Sequence, residues 1–260
     1  MGTSKTLVER RREGIVATLS ERPRMRVLDL AQLFEVSPLT IRRDLDYLSE
    51  KGIVKRSHGF VEIIDPLGSP LSSSAVLIKR NIAAEAARFV EDGDTIFINT
   101  SSTALSVIEH ITALNVTVVT NSGKALQITP PPTLSIILTG GEIRQPKWSM
   151  SGEFSLSTVG HINAAKAILG CSGLSADRGL TTLVSHETSV NSLMLEHSDM
   201  HIIVADHTKI GTNASFRYGS PEQVHILVTD SDTNKEEISH LERAGVRAVV
   251  YPSETTAARA

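Results

Sequence analysis

The hydrophobic pattern of the first 60 residues is helical. Residues 7–20 place Val8, Ile15 and Leu19 among arginines, at the spacing of one face of an amphipathic helix. Residues 27–34 repeat such a face after an interruption at a proline. The pattern therefore predicts two helices that pack together through one apolar side each.

A third helix and a hairpin are predicted next. Ser37 and Pro38 are typical of a helix start, because a serine hydroxyl caps the first turn and proline fits the first helical position. This helix is predicted to run over residues 38–51, where a glycine stops it. The β-rich runs 53–56 and 60–64 then predict a short two-stranded wing.

The rest of the chain alternates helical patterns with short β-branched runs. Such alternation predicts a mostly parallel sheet with helices on both faces, an α/β domain whose ligands bind in the loops after the strands. The predicted strands cover residues 95–98, 116–120, 134–138, 167–169, 201–205, 225–228 and 248–251. The predicted helices cover residues 82–90, 103–111, 186–196 and 235–244.

A shift in composition separates the two patterns. Residues 65–74 read DPLGSPLSSS, a composition typical of a linker. We therefore predict a small helical domain with its wing over residues 1–64, a linker over residues 65–78 and a larger α/β domain over residues 79–260.

Charge and composition narrow the functional classes. Residues 1–60 carry a net charge of +4 and residues 61–260 a net charge of −7, so the first segment alone is expected to meet a polyanion. No apolar run is long enough for a membrane helix, and no secretory signal is found. The single cysteine, Cys171, excludes an internal disulfide. A cytoplasmic location is expected.

The third helix has two distinct faces. Ile41, Leu45 and Leu48 share one face and are predicted to pack on the first two helices. Asp44 lies at the border of that core and is expected to brace an arginine. The opposite face is predicted to be exposed and to carry Leu39, Arg43, Asp46 and Tyr47, with Thr40 and Arg42 at its flanks.

An exposed helix face with arginines near its start is how a recognition helix enters the major groove of DNA. Arginine pairs bidentately with guanine or phosphate, and hydroxyls at a helix start donate to phosphate oxygens. For an isolated arginine pair a solvated surface is the better interpretation, but the complete set of helices, cap and basic hairpin favours a winged helix-turn-helix. The predicted DNA contacts are Ser37, Thr40, Arg42, Arg43, Tyr47, Lys55, Arg56 and His58.

Polar and glycine-rich loops follow successive predicted strands. Residues 99–103 lead directly into a helix, where hydroxyls and backbone N–H groups can cradle an anion. Similar loops occur at residues 121–124, 139–141 and 170–173. Each loop alone is also an ordinary turn, but several at the ends of one sheet favour a shared anion pocket.

The sequence gives little indication of a metal site, a nucleotide-binding loop or a catalytic triad. The nine histidines show no metal-ligand spacing, and no Walker loop or Ser/His/Asp arrangement is present, so no cofactor and no metal are expected. Cys171 is interpreted as a small buried residue, with a reactive thiol as the alternative.

Residues 36–45, VSPLTIRRDL, together with residues 50–54 and the pair His58 and Gly59, resemble the signature of DeoR-type bacterial regulators. The resemblance continues to about residue 230. It implies a repressor of carbohydrate or related catabolic genes, with a sensor domain similar to sugar-phosphate isomerases that binds a phosphorylated small metabolite. It also implies that Lys209 pairs with a phosphate or carboxylate.

The loops and the resemblance together give a predicted effector site made of Asn99, Ser101, Ser102, Thr103, Thr120, Asn121, Gly140, Gly141, Gly170 and Lys209. Three positions depart from the family pattern. Asn99 and Ser172 stand where the family has aspartates, and Asn191 stands where it commonly has a lysine. A different ligand, or none, is then expected in the pocket.

The leading hypothesis is a metabolite-responsive regulator, not an enzyme, that binds a double-stranded operator. A homodimer or homotetramer is expected, because one winged helix covers too few base pairs for specificity. One alternative is a sugar-phosphate isomerase-like enzyme with an accessory domain. Asn99 and Ser172 weigh against it, because isomerisation needs a base, usually a carboxylate. The other alternative is a DNA-binding protein whose second domain binds no effector.

Overall fold

The computed structural model describes residues 6–57, 59–64, 74–145 and 147–252. The chain divides into two compact units, Met1–Leu77 and Ile78–Ala260. Most of the predicted linker, residues 65–73, lies outside the described residues. Within the described part of the chain, no helix combines the length and the hydropathy that a membrane crossing requires.

The first unit contains three helices and a small antiparallel sheet. Its elements are α1 (Leu7–Glu21), β1 (Arg24–Arg26), α2 (Val27–Leu33), α3 (Pro38–Glu50), β2 (Val54–Ser57) and β3 (Phe60–Ile63). The sheet has three strands in the order β1-β3-β2, so the predicted two-stranded wing was incomplete. The added strand, β1, pairs Arg24 with Glu62 and Arg26 with Phe60. Three residues alternating Arg, Met and Arg carry too little apolar signal to predict a strand from the sequence.

The core of the first unit lies between the helices and the wing. Ile41, Leu45 and Leu48 of α3 are buried in it, as predicted, together with Ile15 and Leu19 of α1. Each such side chain stabilises the fold by about 1.5–3 kcal/mol relative to an exposed one. These few contacts therefore fix the orientation of α3 relative to α1.

The second unit is a sheet covered by helices. Its strands are β4 (Thr95–Ile98), β5 (Val116–Thr120), β6 (Leu134–Leu138), β7 (Glu142–Arg144), β8 (Ser149–Ser151), β9 (Ala164–Leu169), β10 (Gly173–Ser175), β11 (Gly179–Thr182), β12 (Ser198–Val204), β13 (Phe216–Gly219), β14 (Ile226–Asp230) and β15 (Arg247–Tyr251). Its helices are α4 (Ser74–Ala87), whose first four residues precede the division at Ile78, α5 (Ser102–Ser106), α6 (Glu153–Gly160), α7 (Thr188–Glu196) and α8 (Lys235–Arg243).

Seven of these strands form one sheet in the order β15-β14-β12-β9-β4-β5-β6, and all of its pairs are parallel. The predicted fold class is confirmed. The five short strands outside this sheet and helix α6 were not predicted. Strands of three or four residues are too short to show a clear periodicity. The helix predicted over residues 103–111 is the short α5 followed by a 3₁₀ turn, Val107–His110.

The strand order places a crevice in the middle of the sheet. From β4 the chain runs outward to β5 and β6, then returns to the other side of β4 and continues through β9, β12, β14 and β15. Such a reversal opens a crevice at the carboxyl ends of the two central strands, where ligands of open parallel sheets bind. The loops that follow β4 and β9 therefore define the position of a candidate site.

Candidate nucleic-acid interface and ligand crevice

Helix α3 begins with a side-chain cap. The Ser37 hydroxyl accepts a hydrogen bond from the Thr40 backbone N–H at 3.1 Å, and the two hydroxyls lie 2.9 Å apart. Arg42 and Arg43 follow on the exposed side of the helix. The two hydroxyls and the two arginines therefore lie within the first two turns of α3.

Asp44 braces the helix from behind. Its carboxylate accepts from Arg11 Nε at 2.6 Å and from Arg12 Nε at 2.9 Å, and its side chain is only 2% exposed. The expectation that Asp44 binds arginine is confirmed. Since both arginines belong to α1, the ion pairs fix α3 to α1.

Tyr47 lies against α1. The Arg12 guanidinium stacks 3.8 Å from the centre of its ring, and Lys51 lies 5.8 Å from it. The ring lines a groove with Leu48 and Val16. Tyr47 therefore lies on the side of α3 that faces α1.

A concave basic surface lies between α3 and the wing. Arg26, Arg42 and Arg56 line a cleft of about 590 Å³ with the aromatic ring of Phe60. Arg56 forms an ion pair with Asp46 and also donates to the Arg42 carbonyl at 3.4 Å. Two of the predicted DNA contacts, Arg42 and Arg56, thus come together. Arg26 was missed because its strand was missed.

The remaining wing residues are placed elsewhere. Lys55 lies opposite Glu62 of β3 in the strand register, and the Glu62 carboxylate binds Arg24 Nε at 3.0 Å. Successive residues of a strand point to opposite faces, so Lys55 lies on the other face of the wing from Arg56. His58 lies outside the described residues.

In the second unit, Asn99 joins the ends of β4 and β9. Its side-chain amide donates to the Gly170 carbonyl at 2.9 Å, and its Oδ1 accepts from the N–H groups of Gly170 and Ser101 at 3.0 and 3.2 Å. Gly170 must be a glycine here, because a Cβ would lie 2.0 Å from the Ser101 hydroxyl oxygen. Three predicted effector residues therefore meet at the central crevice.

A second amide completes this contact. Asn99 Nδ2 lies 3.4 Å from Asn191 Oδ1, and both side chains are buried. Two of the positions where the sequence departs from the family pattern are therefore in contact with each other. The pair is neutral and hydrogen-bonded, so this part of the crevice carries no formal charge.

The other polar residues near β4 belong to helix α5. The Ser101 hydroxyl caps it by accepting from the Ala104 N–H at 3.5 Å. Ser102 is half-buried and Thr103 is buried. With only five residues, α5 adds little of the dipole that a long helix would direct at an anion.

Of the predicted contacts after β5 and β6, Thr120 and Asn121 are packed inward. Thr120 and Asn121 are fully buried; Thr120 Oγ1 accepts from the Ser122 N–H, and Asn121 Nδ2 donates to the Met150 carbonyl. Gly141 has φ +101°, and a Cβ there would lie 2.4 Å from the Ser151 carbonyl oxygen. Gly140 precedes it with φ +71°. These residues position strand β8 against the end of β5.

Lys209 and Cys171 lie close to each other near the end of β9. Burial raises the pKa of the Cys171 thiol to about 12, although the nearby Lys209 ammonium opposes that shift. The thiol is therefore protonated at neutral pH, which agrees with a structural cysteine. Lys209 is half-buried in the 3₁₀ turn His207–Lys209.

Glu187 is a functional candidate that the sequence did not single out. Its buried carboxylate accepts from Thr100 Oγ1 at 2.7 Å, from Thr182 Oγ1 at 3.3 Å and from Lys147 Nζ at 3.1 Å. No spacing within one segment of the sequence marks Lys147 as its partner. The cluster joins the loop after β4 to the turn before α7.

One group of side chains has the spacing of metal ligands. Single donor atoms of His207, Asp230 and Asp232 lie within 4.8 Å of one another. The buried Asp230 carboxylate already accepts from the backbone N–H groups of His207 and Asp232 and contacts the His207 ring. We interpret the group as a brace between the loops after β12 and β14.

Comparison with known proteins gives two family matches. Residues 11–66 match the DeoR-like helix-turn-helix domain, and residues 75–231 match the DeoR C-terminal sensor domain. Together the two matches include both the arginine face of α3 and the crevice between β4 and β9.

Several regulators match most of the chain. The uncharacterized HTH-type transcriptional regulator YulB of Bacillus subtilis is 32% identical over 255 residues, which cover 95% of this chain and 98% of that protein. The glycerol-3-phosphate regulon repressor of Escherichia coli is 31% identical over 85% of this chain and 90% of its own length. The sorbitol operon regulator SorC of Klebsiella pneumoniae is a structural match with 13% identity and a TM-score of 0.41, over 92% of this chain and 100% of that one.

Proposed function

The chain belongs to the DeoR family of DNA-binding transcriptional regulators, and from this premise we propose that it represses carbohydrate or related catabolic genes under the control of a phosphorylated small metabolite. It is a regulator and not an enzyme, as the relatives that match it over most of their length are regulators. The isomerase-like alternative is therefore set aside.

The observation that carries the DNA-binding proposal is the set of exposed arginines on and beside α3. Arg42 and Arg43 can reach base edges or phosphates, and the cleft with Arg26 and Arg56 fits a phosphate of the adjacent backbone. The hydroxyls of Ser37 and Thr40 are proposed to add phosphate contacts, whereas Lys55 lies on the other face of the wing and is not assigned to this surface. Asp44 would contribute indirectly, because it fixes α3 to α1.

The effector is proposed to bind at the crevice between β4 and β9. Asn99, Ser101 and Gly170 meet there, and Lys209 lies beside the neighbouring Cys171. An anion fits this position because the Asn99–Asn191 pair is neutral and does not repel it. A phosphorylated metabolite is favoured, since one relative is named a glycerol-3-phosphate regulon repressor.

A homodimer or a homotetramer is proposed as the DNA-binding form. A single winged helix reads a short half-site, which gives too little discrimination against a genome. Light scattering on the protein with and without operator DNA tests this proposal. A monomer under both conditions would contradict it.

The central experiment is a mobility-shift titration on the DNA upstream of the gene. It is performed without a ligand and with glycerol 3-phosphate, glucose 6-phosphate or their unphosphorylated parents. We expect binding that a phosphorylated compound weakens and its parent does not. Binding that no compound changes would favour the alternative in which the second unit senses no effector, and failure to bind DNA would contradict the whole proposal.

A further inference from the structure

A short segment crosses the loops at the carboxyl end of the sheet. Residues 147–151, here called the strap, contact the end of β5 through the Met150 N–H, which donates to the Asn121 carbonyl at 2.7 Å. They contact the turn before α7 through Ser149, whose hydroxyl lies 2.9 Å from His186 Nε2. The strap therefore connects two loops that are far apart in sequence.

The strap contains a residue in an uncommon backbone conformation. Trp148 has φ +57°, which a residue with a bulky side chain rarely adopts. Its carbonyl accepts from the Gly123 N–H at 2.8 Å, and its side chain packs so closely on Gly123 that a Cβ there would lie 3.4 Å from the ring. The side chain is 41% exposed, and it is the single tryptophan of the sequence.

Lys147 gives the strap a positive charge directed at a buried carboxylate. Its Nζ lies 3.1 Å from Glu187 Oε2, and the lysine side chain is 42% exposed while that of Glu187 is 3% exposed. Glu187 keeps two hydroxyl donors, Thr100 and Thr182, independently of the lysine. The ammonium group can therefore leave the carboxylate without depriving it of every hydrogen bond.

The same cluster borders the proposed effector crevice. Thr100, which donates to Glu187, stands between Asn99 and Ser101 in the loop after β4. The Glu187 carboxylate therefore lies between the Lys147 ammonium and the loop after β4. An anion in the crevice would compete with Glu187 for the lysine, and a phosphate carries about −1.5 to −2 charges against one on a carboxylate.

An independent observation points to a ligand beneath the strap. Asn121 Oδ1 and Ser122 Oγ are buried and have no hydrogen-bond partner among the described residues. Buried polar atoms are almost always paired in native proteins, so two neighbouring exceptions mark a position that a water or a small polar molecule can fill. Hydroxyls of a small polar molecule could satisfy both atoms.

We propose that Lys147 is the residue that distinguishes an anionic effector from its neutral parent, and that it does so by changing partner. In the free protein it neutralises Glu187, and in the bound protein it contacts the phosphate or carboxylate group of the effector. Lysine suits this exchange because its charge is compact and its stem is flexible. The proposal rests on the effector binding proposed above, and it assigns the strap as the element that moves.

Trp148 fluorescence of the full chain tests the proposal directly. The protein is titrated with glycerol 3-phosphate, glucose 6-phosphate and inorganic phosphate, and separately with glycerol and glucose. We expect a saturable change in emission with at least one phosphorylated compound and none with the neutral parents. K147M should raise the half-saturating concentration roughly tenfold or more, as expected for losing a charge-assisted contact, whereas K147R should stay within about threefold.

Two further variants make the result unambiguous. K235M removes an exposed lysine at the start of α8 and should titrate like the wild type. If K147M is too unstable to fold, the double variant K147M/E187Q removes both charges of the pair, and its half-saturating concentration should still be above that of the wild type because the lysine contact is lost. Circular dichroism checks that each variant is folded.

The outcomes separate this proposal from the one on which it rests. If the wild type responds to a phosphorylated compound and K147M or K147M/E187Q responds identically, the role of Lys147 is wrong and the proposed effector control stands. If no phosphorylated compound changes either Trp148 emission or DNA binding of the wild type, both are wrong, and only the DNA-binding function remains.

Discussion

The two candidate surfaces differ in whether their charged and polar side chains are exposed or buried. On the first unit, Arg42 and Arg43 are exposed, and Arg26 and Arg56 line an open cleft. At the carboxyl end of the large sheet, the polar side chains are mostly buried and bonded to one another, as in the neutral pair of Asn99 with Asn191. The first surface is suited to a large polyanion, and the second to a small ligand that must replace existing contacts.

Each region contains a buried carboxylate, Asp44 in the first unit and Glu187 in the second, and the two differ in their partners. Asp44 of α3 binds Arg11 and Arg12, which both belong to α1, and each arginine side chain is mostly buried. Glu187 binds two hydroxyls and one half-exposed lysine on the strap. A rigid pair suits a recognition helix that must keep its orientation, whereas a pair with one accessible partner suits a site that responds to a ligand.

The largest expected effect comes from restoring a charge to the neutral crevice. Asn99→Asp replaces an amide that donates to the Gly170 carbonyl and contacts Asn191 Oδ1 by a carboxylate, which would place a buried negative charge against both oxygens. We expect the free energy of unfolding to fall by about 4 kcal/mol, as for a buried unpaired charge. Urea denaturation monitored by circular dichroism measures the change.

Two further variants test whether the loss of stability in Asn99→Asp comes from burying an unpaired charge. Adding Asn191→Lys supplies a cation at the contacting position and should recover part of the loss. Asn234→Asp makes the same chemical change at the exposed cap of α8, where aspartate caps equally well, so it should change stability by less than about 0.5 kcal/mol. Equal losses at residues 99 and 234 would show that the crevice is not a low-polarity site.

The Asp44 brace should have the next largest effect. Asp44→Asn leaves Arg11 and Arg12 without their charge partner. Because both arginines retain some exposure, we expect a loss of about 2 kcal/mol, which is less than the roughly 3–5 kcal/mol for a fully buried pair. Asp46→Asn breaks an exposed ion pair on the same helix and should cost less than about 1 kcal/mol. The same denaturation experiment compares them, and equal losses would argue against a rigid brace.

The exposed arginines should affect binding more than stability. Arg42→Ala or Arg43→Ala should weaken specific DNA binding by roughly 1–3 kcal/mol for a base contact, or reduce its salt dependence for a phosphate contact. Arg88→Ala removes an exposed arginine of the second unit and should bind as the wild type does. Mobility-shift titrations at several salt concentrations measure both quantities. Unchanged binding by both α3 variants would refute the assignment of this helix.

The smallest expected effect is a dependence of stability on pH. Burial lowers the pKa of His110 and of His225 below 6.5, and the His110 Nε2 atom is buried without a partner among the described residues. Below about pH 6.5 both histidines bind protons in the unfolded chain but resist protonation in the folded chain. The free energy of unfolding should therefore decrease as the pH falls towards the lowered pKa values of the folded state.

Thermal melts between pH 7.5 and 5 test this dependence. The variant carrying His110→Phe and His225→Gln should show a flatter decline of Tm than the wild type. His240→Gln, on helix α8, serves as the control and should keep the wild-type slope. Identical slopes for all three proteins would show that other groups cause the decline.

Local patterns were sufficient to predict much of the molecule. The helices of the first unit, the Ser37 cap and the seven strands of the large sheet all follow from periodicity and end signals within single segments. The role of Asp44 also followed, because its position at the border of a helical apolar face requires a nearby cation. The predicted meeting of Asn99 with Gly170 needed only the rule that parallel strands end at one edge.

Tertiary structure alone decided the remaining contacts, because they join residues that are distant in sequence. Arg26 reaches the cleft only through the pairing of β1 with β3, and Lys55 is directed away from it by the register of the wing. The contact of Lys147 with Glu187 spans 40 residues. No spacing within one segment encodes such a contact, since it depends on where the packed sheet places two loops.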